Sequence, residues 1–176
     1  MQTFATARLR LRPIDEGDLD DLLALDGDPE VMRYLGATPT REDYVAQLIP
    51  RMTRWQREPF GYFAAATADD PFIGWFHLRP SVADPAIHEL GYRLARRAWG
   101  RGLATEGSLA LCRHAFSVLA MPAVDAVTLP DNARSRRVME KCGMRLVGPF
   151  RHPAGLDCVR YVATRADFEA AAAGLL

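Results

Sequence analysis

The sequence predicts an α/β (α+β) fold, a mixed and mostly antiparallel sheet flanked by helices. Three observations carry this. Short runs that alternate apolar and polar residues, such as Arg8-Leu9-Arg10-Leu11-Arg12, read as strands with one wet face. Segments with helical spacing, such as the one holding Leu19, Leu22 and Leu23, are interleaved with them. A glycine-rich turn, Gly100-Arg101-Gly102, then joins a strand-like run to a helix-like one. No repeat, low-complexity linker or second domain is legible, so the 176 residues read as one domain, 1–176.

Taken in order, Arg8–Arg12 is a strand and Asp15–Asp18 a polar helix start. Thr40 caps a helix running toward Arg57, which Pro50 must kink or split because an interior proline loses a hydrogen bond and clashes with the preceding turn. Strands follow over 60–67 and 72–78, joined at Ala68-Asp69-Asp70-Pro71, and another over 87–94 after a loop from Arg79 to Pro85. A helix runs from Gly102 to about Leu119, with Leu103, Gly107, Leu111 and His114 on one face. A strand over 124–129 precedes a helix over 132–142 that Gly143 ends at the position after its cap. Two strands, 145–151 and 156–164, turn at Pro153-Ala154-Gly155, and 166–175 forms a tail helix.

Composition narrows the function. The formal net charge is +0, which gives the chain as a whole no attraction to nucleic acid or an anionic membrane. No apolar run approaches the ~20 residues that span a bilayer, and no leader-like N-terminus is seen, so a cytoplasmic protein is expected. Cys112, Cys142 and Cys158 show no metal-ligand or CxxC spacing and read as buried thiols, and no metal is expected. The basic residues cluster instead. Arg93, Arg96, Arg97 and Arg101 form one island, and Arg134, Arg136, Arg137 and Lys141 another, a distribution suited to a compact, multiply phosphorylated ligand.

The first island surrounds the glycines. A helix that begins just after Gly102 aims unpaired N–H groups and a positive dipole end at the turn, a ready site for a pyrophosphate. Spacing decides which cradle it is. A Walker loop needs four residues between its glycines and then Lys-Ser/Thr, and neither is present. The dinucleotide pattern lacks its third glycine, Gly107 falling two places late.

Arg97-x-x-Gly100-x-Gly102 resembles the acetyl-CoA loop of the GNAT acetyltransferases, Arg/Gln-x-x-Gly-x-Gly/Ala. Asn132-x-x-Ser135 resembles the helix that closes the cofactor slot in the RimJ/RimL-like branch of that superfamily. Thr6–Pro13, Asp18 and Asp28–Leu35 resemble that branch's opening, and Phe72-Ile73-Gly74 and Glu89-Leu90-Gly91-Tyr92 fall in the expected order between. The resemblance runs from about Thr6 to Phe168. It implies acetyl transfer from acetyl-CoA to an amine by direct attack, within a GNAT fold whose cofactor lies in a cleft at the strand before the loop.

Site residues follow from the same resemblance. The main chain from Arg97 to Leu103, the guanidinium groups of Arg97 and Arg101, and Thr105 would hold the pyrophosphate, with Arg136 in the second island also facing the cofactor. Pantetheine would pair with the strand edge from Tyr92 to Leu94 and with Asn132, and the Leu94 N–H would meet the oxyanion. Ser135 would donate to the leaving thiolate. For the base that frees the amine, Glu89 and His88 stay open, since strand alternation turns Glu89, Gly91 and Arg93 to one face and His88, Leu90 and Tyr92 to the other. His114, on an apolar helix face, reads as a core histidine.

The acceptor is open among protein N-terminal α-amines, small-molecule amines and antibiotic amines. The variable segments 36–59 and 81–87 carry only Glu42, Asp43, Glu58 and Asp84 as acids, which argues against a polycationic aminoglycoside. A non-catalytic acyl-CoA sensor is the alternative of another class, and the oligomeric state stays open between monomer and homodimer.

Overall fold

The computed structural model describes residues 2–174. Its eight strands form one mixed sheet in the order β1-β2-β3-β4-β5-β6-β8-β7, flanked by helices. The described residues group into two compact units, one made of the chain up to His77 with Tyr92–Ala104, the other of Leu78–Gly91 with the chain from Thr105 onward.

In the first unit, Arg10–Pro13 (β2) pairs antiparallel with Phe4–Ala5 (β1) and with Gly61–Ala66 (β3). The predicted alternation holds: Leu9 and Leu11 are buried while Arg10 and Arg12 are exposed. Asp18 lies buried between the helix start and β2, where it accepts two bonds from Arg12 (2.8 and 2.5 Å) and one from the Asp15 N–H (2.9 Å). Its carboxylate thereby caps the turn that opens Leu19–Asp26 (α1). The short Pro29–Met32 (α2) follows, capped by Asp28.

Pro50 acts through a widened turn. Thr40 and Asp43 form the expected capping box at the start of Arg41–Asp43 (α3). Residues 44–48 then wind as a π-helix, the Ile49 N–H reaching back to the Tyr44 carbonyl, before Ile49–Thr53 (α4). Proline has no N–H for the ladder and its ring crowds the carbonyl four residues back; the wider turn removes both conflicts without a break. The helix stops at Thr53, short of Arg57. Gly74–Pro80 (β4) runs two residues further than expected, and His88–Leu94 (β5) begins one residue later. The core of this unit gathers Ile14, Leu22, Tyr44, Met52, Tyr62 and Trp75.

In the second unit, β5 pairs parallel with Ala123–Thr128 (β6) through His88↔Val124 and Glu89↔Asp125. Asp157–Thr164 (β8) pairs antiparallel with β6 and with Arg145–Arg151 (β7), the latter bulged between Leu146 and Gly148. Leu103–Ser117 (α5), Ala133–Lys141 (α6) and Arg165–Ala173 (α7) complete the order; the predicted end of the tail helix, Leu175, lies outside the described residues. Gly143 closes α6 at φ 79°, where a Cβ would overlap the Asp167 carbonyl oxygen. All three cysteines are buried free thiols, as expected, and His114 is buried on α5. No helix among the described residues is long and apolar enough to cross a membrane.

Candidate active site

Gly100 and Gly102 adopt φ of 73° and 77°, the left-handed region that glycine enters without penalty. A Cβ on Gly100 would meet nothing within 4 Å, and one on Gly102 only the Arg8 guanidinium at 3.4 Å. These glycines therefore serve turn geometry and open approach, not close packing. Leu103, fully buried, anchors the first turn of α5, and the half-buried Thr105 stands in that turn. The 15-residue helix directs its positive end at the loop. An open turn just ahead of a helix N-terminus is an arrangement whose backbone N–H groups suit an anion such as a pyrophosphate.

The arginines of the first island also have partners within the fold. Arg97 donates to Asp70 through Nε (2.6 Å) and Nη2, and to the Phe72 carbonyl at 2.6 Å. This pairing holds the Asp70 carboxyl below its ordinary range. The Arg97 guanidinium thus braces the turn between β3 and β4, and Arg96 likewise pairs with Asp28 at 2.8 Å. Arg101 stays exposed at the loop. Arg8, which sequence reasoning missed, donates to the Arg101 carbonyl at 2.7 Å and brings its charge to the glycines. Its only sequence signal was membership of an alternating strand run, which says nothing about a loop 93 residues away.

At the end of β5 the backbone is directional. Ala95 N–H donates to the Ile73 carbonyl at 2.9 Å. Successive strand N–H groups point to opposite edges, so the Leu94 N–H faces away from β4, as does that of Tyr92. Tyr92 is half-buried with its ring 5.8 Å from that of Phe76.

The second unit holds the remaining candidates. Asn132 is the N-cap of α6, its Oδ1 accepting from the Ser135 N–H at 3.2 Å, which leaves its amide N–H₂ and the half-buried Ser135 hydroxyl outside the cap. Arg136 donates to the Tyr161 hydroxyl at 2.9 Å and to the Pro130 carbonyl at 3.2 Å. Glu89 is buried and bonded to Arg79 at 2.6 Å. Beside it across the sheet, Asp125 accepts from Ser81 and Arg160, each at 2.8 Å, while burial pushes its carboxyl up. His88 is half-buried with Nδ1 2.9 Å from the Met121 sulfur, and burial lowers its pKa from the ordinary 6.5. Sequence reasoning found Glu89 but not Arg79, whose partnership depends on strand pairing. Among the described residues no group of three or more His, Cys, Asp or Glu side chains is placed to hold a metal ion.

Residues 8–145 match the family model described as an acetyltransferase (GNAT) domain, more than half of the chain. The chain belongs to the GNAT acetyltransferases. FsC-acetyl coenzyme A-N(2)-transacetylase of Aspergillus fumigatus is 31% identical over 182 residues, covering 94% of this chain and 77% of that one. The N-acetyltransferase p20 of Bacillus licheniformis, uncharacterized, is 28% identical over 156 residues, 86% of each chain. Among solved structures, the aminoglycoside acetyltransferase AAC(6')-Ib in complex with coenzyme A superposes with a TM-score of 0.78 at 25% identity, over 92% of this chain and 98% of that one. An acetyltransferase from Agrobacterium tumefaciens superposes with a TM-score of 0.79 at 23% identity, over 94% and 95%, and supports the fold. This GNAT chain is an acetyl-CoA-dependent N-acetyltransferase.

Proposed function

We propose that the chain is a single-domain, RimJ/RimL-like N-acetyltransferase that passes the acetyl group directly from acetyl-CoA to a primary amine, with a peptide N-terminal α-amine as first acceptor. The observation that carries the cofactor half of this reading is the open, positive-φ pair Gly100 and Gly102 ahead of α5. The main chain from Arg97 to Leu103 binds the pyrophosphate, aided by Arg101, Arg8 and Thr105. Tyr92 and Leu94 pair with the pantetheine amides, and Asn132 offers its uncapped amide. The thioester supplies an activated acyl group with a thiolate as leaving group.

The amine must attack as the free base. An α-amine, with a pKa near ~8, reaches that form at neutral pH more readily than a lysine near ~10.4. Glu89 takes the proton, directly or through water, with the neutral His88 as the other candidate. As the amine adds, the carbonyl oxygen gains charge and the Leu94 N–H receives it. Ser135 donates to the departing sulfur. The absence of a covalent enzyme intermediate predicts ternary-complex kinetics.

A small-molecule amine is the second reading. It is favoured by the name of one similar protein, the aminoglycoside acetyltransferase. Thiol release from acetyl-CoA, measured over a panel of N-terminal peptides, lysine peptides, polyamines and other small-molecule amines and aminoglycosides, decides between them. Turnover confined to peptides with free α-amines supports the first reading. Turnover confined to small molecules overturns its acceptor, and tight acetyl-CoA binding with no turnover of any amine returns the sensor alternative.

A further inference from the structure

The two peptide units on either side of the Leu94 Cα are held with unusual completeness. Gly74 in β4, at φ 128°, comes so close that an added Cβ would overlap the Arg93 carbonyl oxygen and lie 2.8 Å from the Leu94 Cα. In a trans peptide the Leu94 N–H points opposite to that oxygen, hence away from β4. The Arg93 side chain is clamped by the buried Asp26 and lies over the Trp75 ring, 5.1 Å from its centroid. Asp26 accepts in turn from the Tyr44 hydroxyl at 2.5 Å, so α1 and the π-turn both hold this strand end. In the next peptide the Ala95 N–H is bonded to Ile73.

All of these contacts act from the β4 side or through the Arg93 side chain. One acts on the opposite edge: the Trp99 indole Nε1–H donates to the Leu94 carbonyl at 2.7 Å. In a strand the N–H and C=O of one residue share an edge, so this bond lies on the same edge as the Leu94 N–H. It occupies the carbonyl and leaves the N–H as the group that edge presents. Trp99 also sits immediately before Gly100, so the loop that cradles pyrophosphate and the strand end that faces the thioester share one side chain.

We infer that Trp99 is a positioning residue for acetyl transfer, its indole N–H fixing the direction of the Leu94 N–H toward the developing oxyanion. The inference rests on the reading of Leu94 as the oxyanion donor. A donor of this kind is effective because it is already oriented when charge appears, and removing one outright slows turnover by about 10²–10³. Loosening it, with the donor still present, is expected to slow turnover by about tenfold.

The test combines kinetics with isotope-edited infrared spectra of acetyl-CoA labelled with ¹³C at the thioester carbonyl. Trp99→Phe keeps an aromatic ring against the apolar cluster that Trp99 packs on while removing the indole donor together with part of the ring's volume. Trp99→Leu serves the same purpose should the first variant lose its cooperative melting transition. Expected is a carbonyl band shifted to lower frequency on binding to the parent protein, a smaller shift in the variant, kcat lower by about tenfold, and acetyl-CoA affinity within about twofold of the parent. A parent shift that the variant retains in full, with unchanged kcat, overturns the role of Trp99 while leaving Leu94 as the donor. No shift in the parent overturns the Leu94 reading itself and the inference with it. Loss of acetyl-CoA affinity equal to the loss of kcat/KM, with the shift intact, makes Trp99 a binding residue of the loop and also overturns the inference.

Discussion

A substitution at Glu89 removes two things at once, a candidate base and the counter-charge of Arg79. Both side chains are largely buried, at 5% and 15% exposure, so Glu89→Gln leaves a guanidinium without its counter-charge and should destabilise the fold by about 3 kcal/mol. Rates must therefore be compared well below the variant's melting temperature. Under that condition kcat/KM for Glu89→Gln should fall by about 10²-fold at neutral pH, and the deficit should shrink as pH rises and free amine accumulates unaided. Recovery near pH ~8 marks an α-amine acceptor, and recovery only near ~10 a lysine. His88 gives a different signature. Burial disfavours its charged form, so it is neutral at pH 7, and a His88-dependent rate should lose activity only as pH falls below the ordinary value of about 6.5. A pH-independent loss for Glu89→Gln makes Glu89 a substrate-positioning group, and a loss confined to His88→Gln transfers the role to the histidine. Ser135 stands apart from this pair. Because Ser135→Ala leaves intact the backbone N–H that Asn132 caps, it should keep acetyl-CoA affinity within a few-fold and lower kcat. Full activity in that variant removes Ser135 from the mechanism.

At the level of elements, glycines that share only a positive φ serve unlike purposes, and substitution separates them. Gly100→Ala meets no neighbour and should cost only the left-handed backbone term, about 1–2 kcal/mol. Gly74→Ala must also push the Arg93 and Leu94 backbone aside and should cost roughly 3 kcal/mol or more, with kcat falling because the same strand end is displaced. Equal denaturation midpoints for the two variants would contradict this assignment of roles. The contrast also explains what the sequence could and could not disclose. The positive-φ turn ahead of α5 was legible because its two glycines and the following helix are neighbours in the chain. The β2 alternation, the Thr40 cap and the Gly143 stop were legible for the same reason, each being set by residues within one turn. Gly74 was legible only as part of a family phrase, since its need for a missing Cβ comes from β5, some twenty residues on. Pro50 announced a disturbance, but the choice of a π-turn over a kink is made by tertiary contacts such as that of Tyr44 with Asp26. Strand β1 is two residues long, too short for any periodicity to reveal. Arg97 was recognised as important, while its engagement by Asp70 needed the turn between β3 and β4 to be seen in place.

For the whole molecule, cofactor binding and stability are linked, and the linkage gives a test that needs no acceptor. A ligand that binds only the folded chain at 100 times its Kd adds about 2.7 kcal/mol. For a chain of this size each kcal/mol moves Tm by roughly 2–4 °C, so saturating acetyl-CoA should raise Tm by about 5–11 °C. Gly102→Glu separates folding from binding. A glutamate at φ 77° costs about 1–2 kcal/mol, so the variant without ligand should melt a few degrees below the parent. With acetyl-CoA its Tm should not move, because the carboxylate fills the open approach over the loop and repels the pyrophosphate. The increment on adding ligand, not the absolute Tm, is therefore the reading that matters. The buried thiols make the accompanying turnover assay clean: Cys112, hydrogen-bonded to Cys142, has its pKa pushed up, and burial raises Cys158 as well, so a thiol reagent should report released coenzyme A and not the protein until it unfolds. A Gly102→Glu protein that keeps the parent's full increment would show that acetyl-CoA binds elsewhere than at the glycine turn.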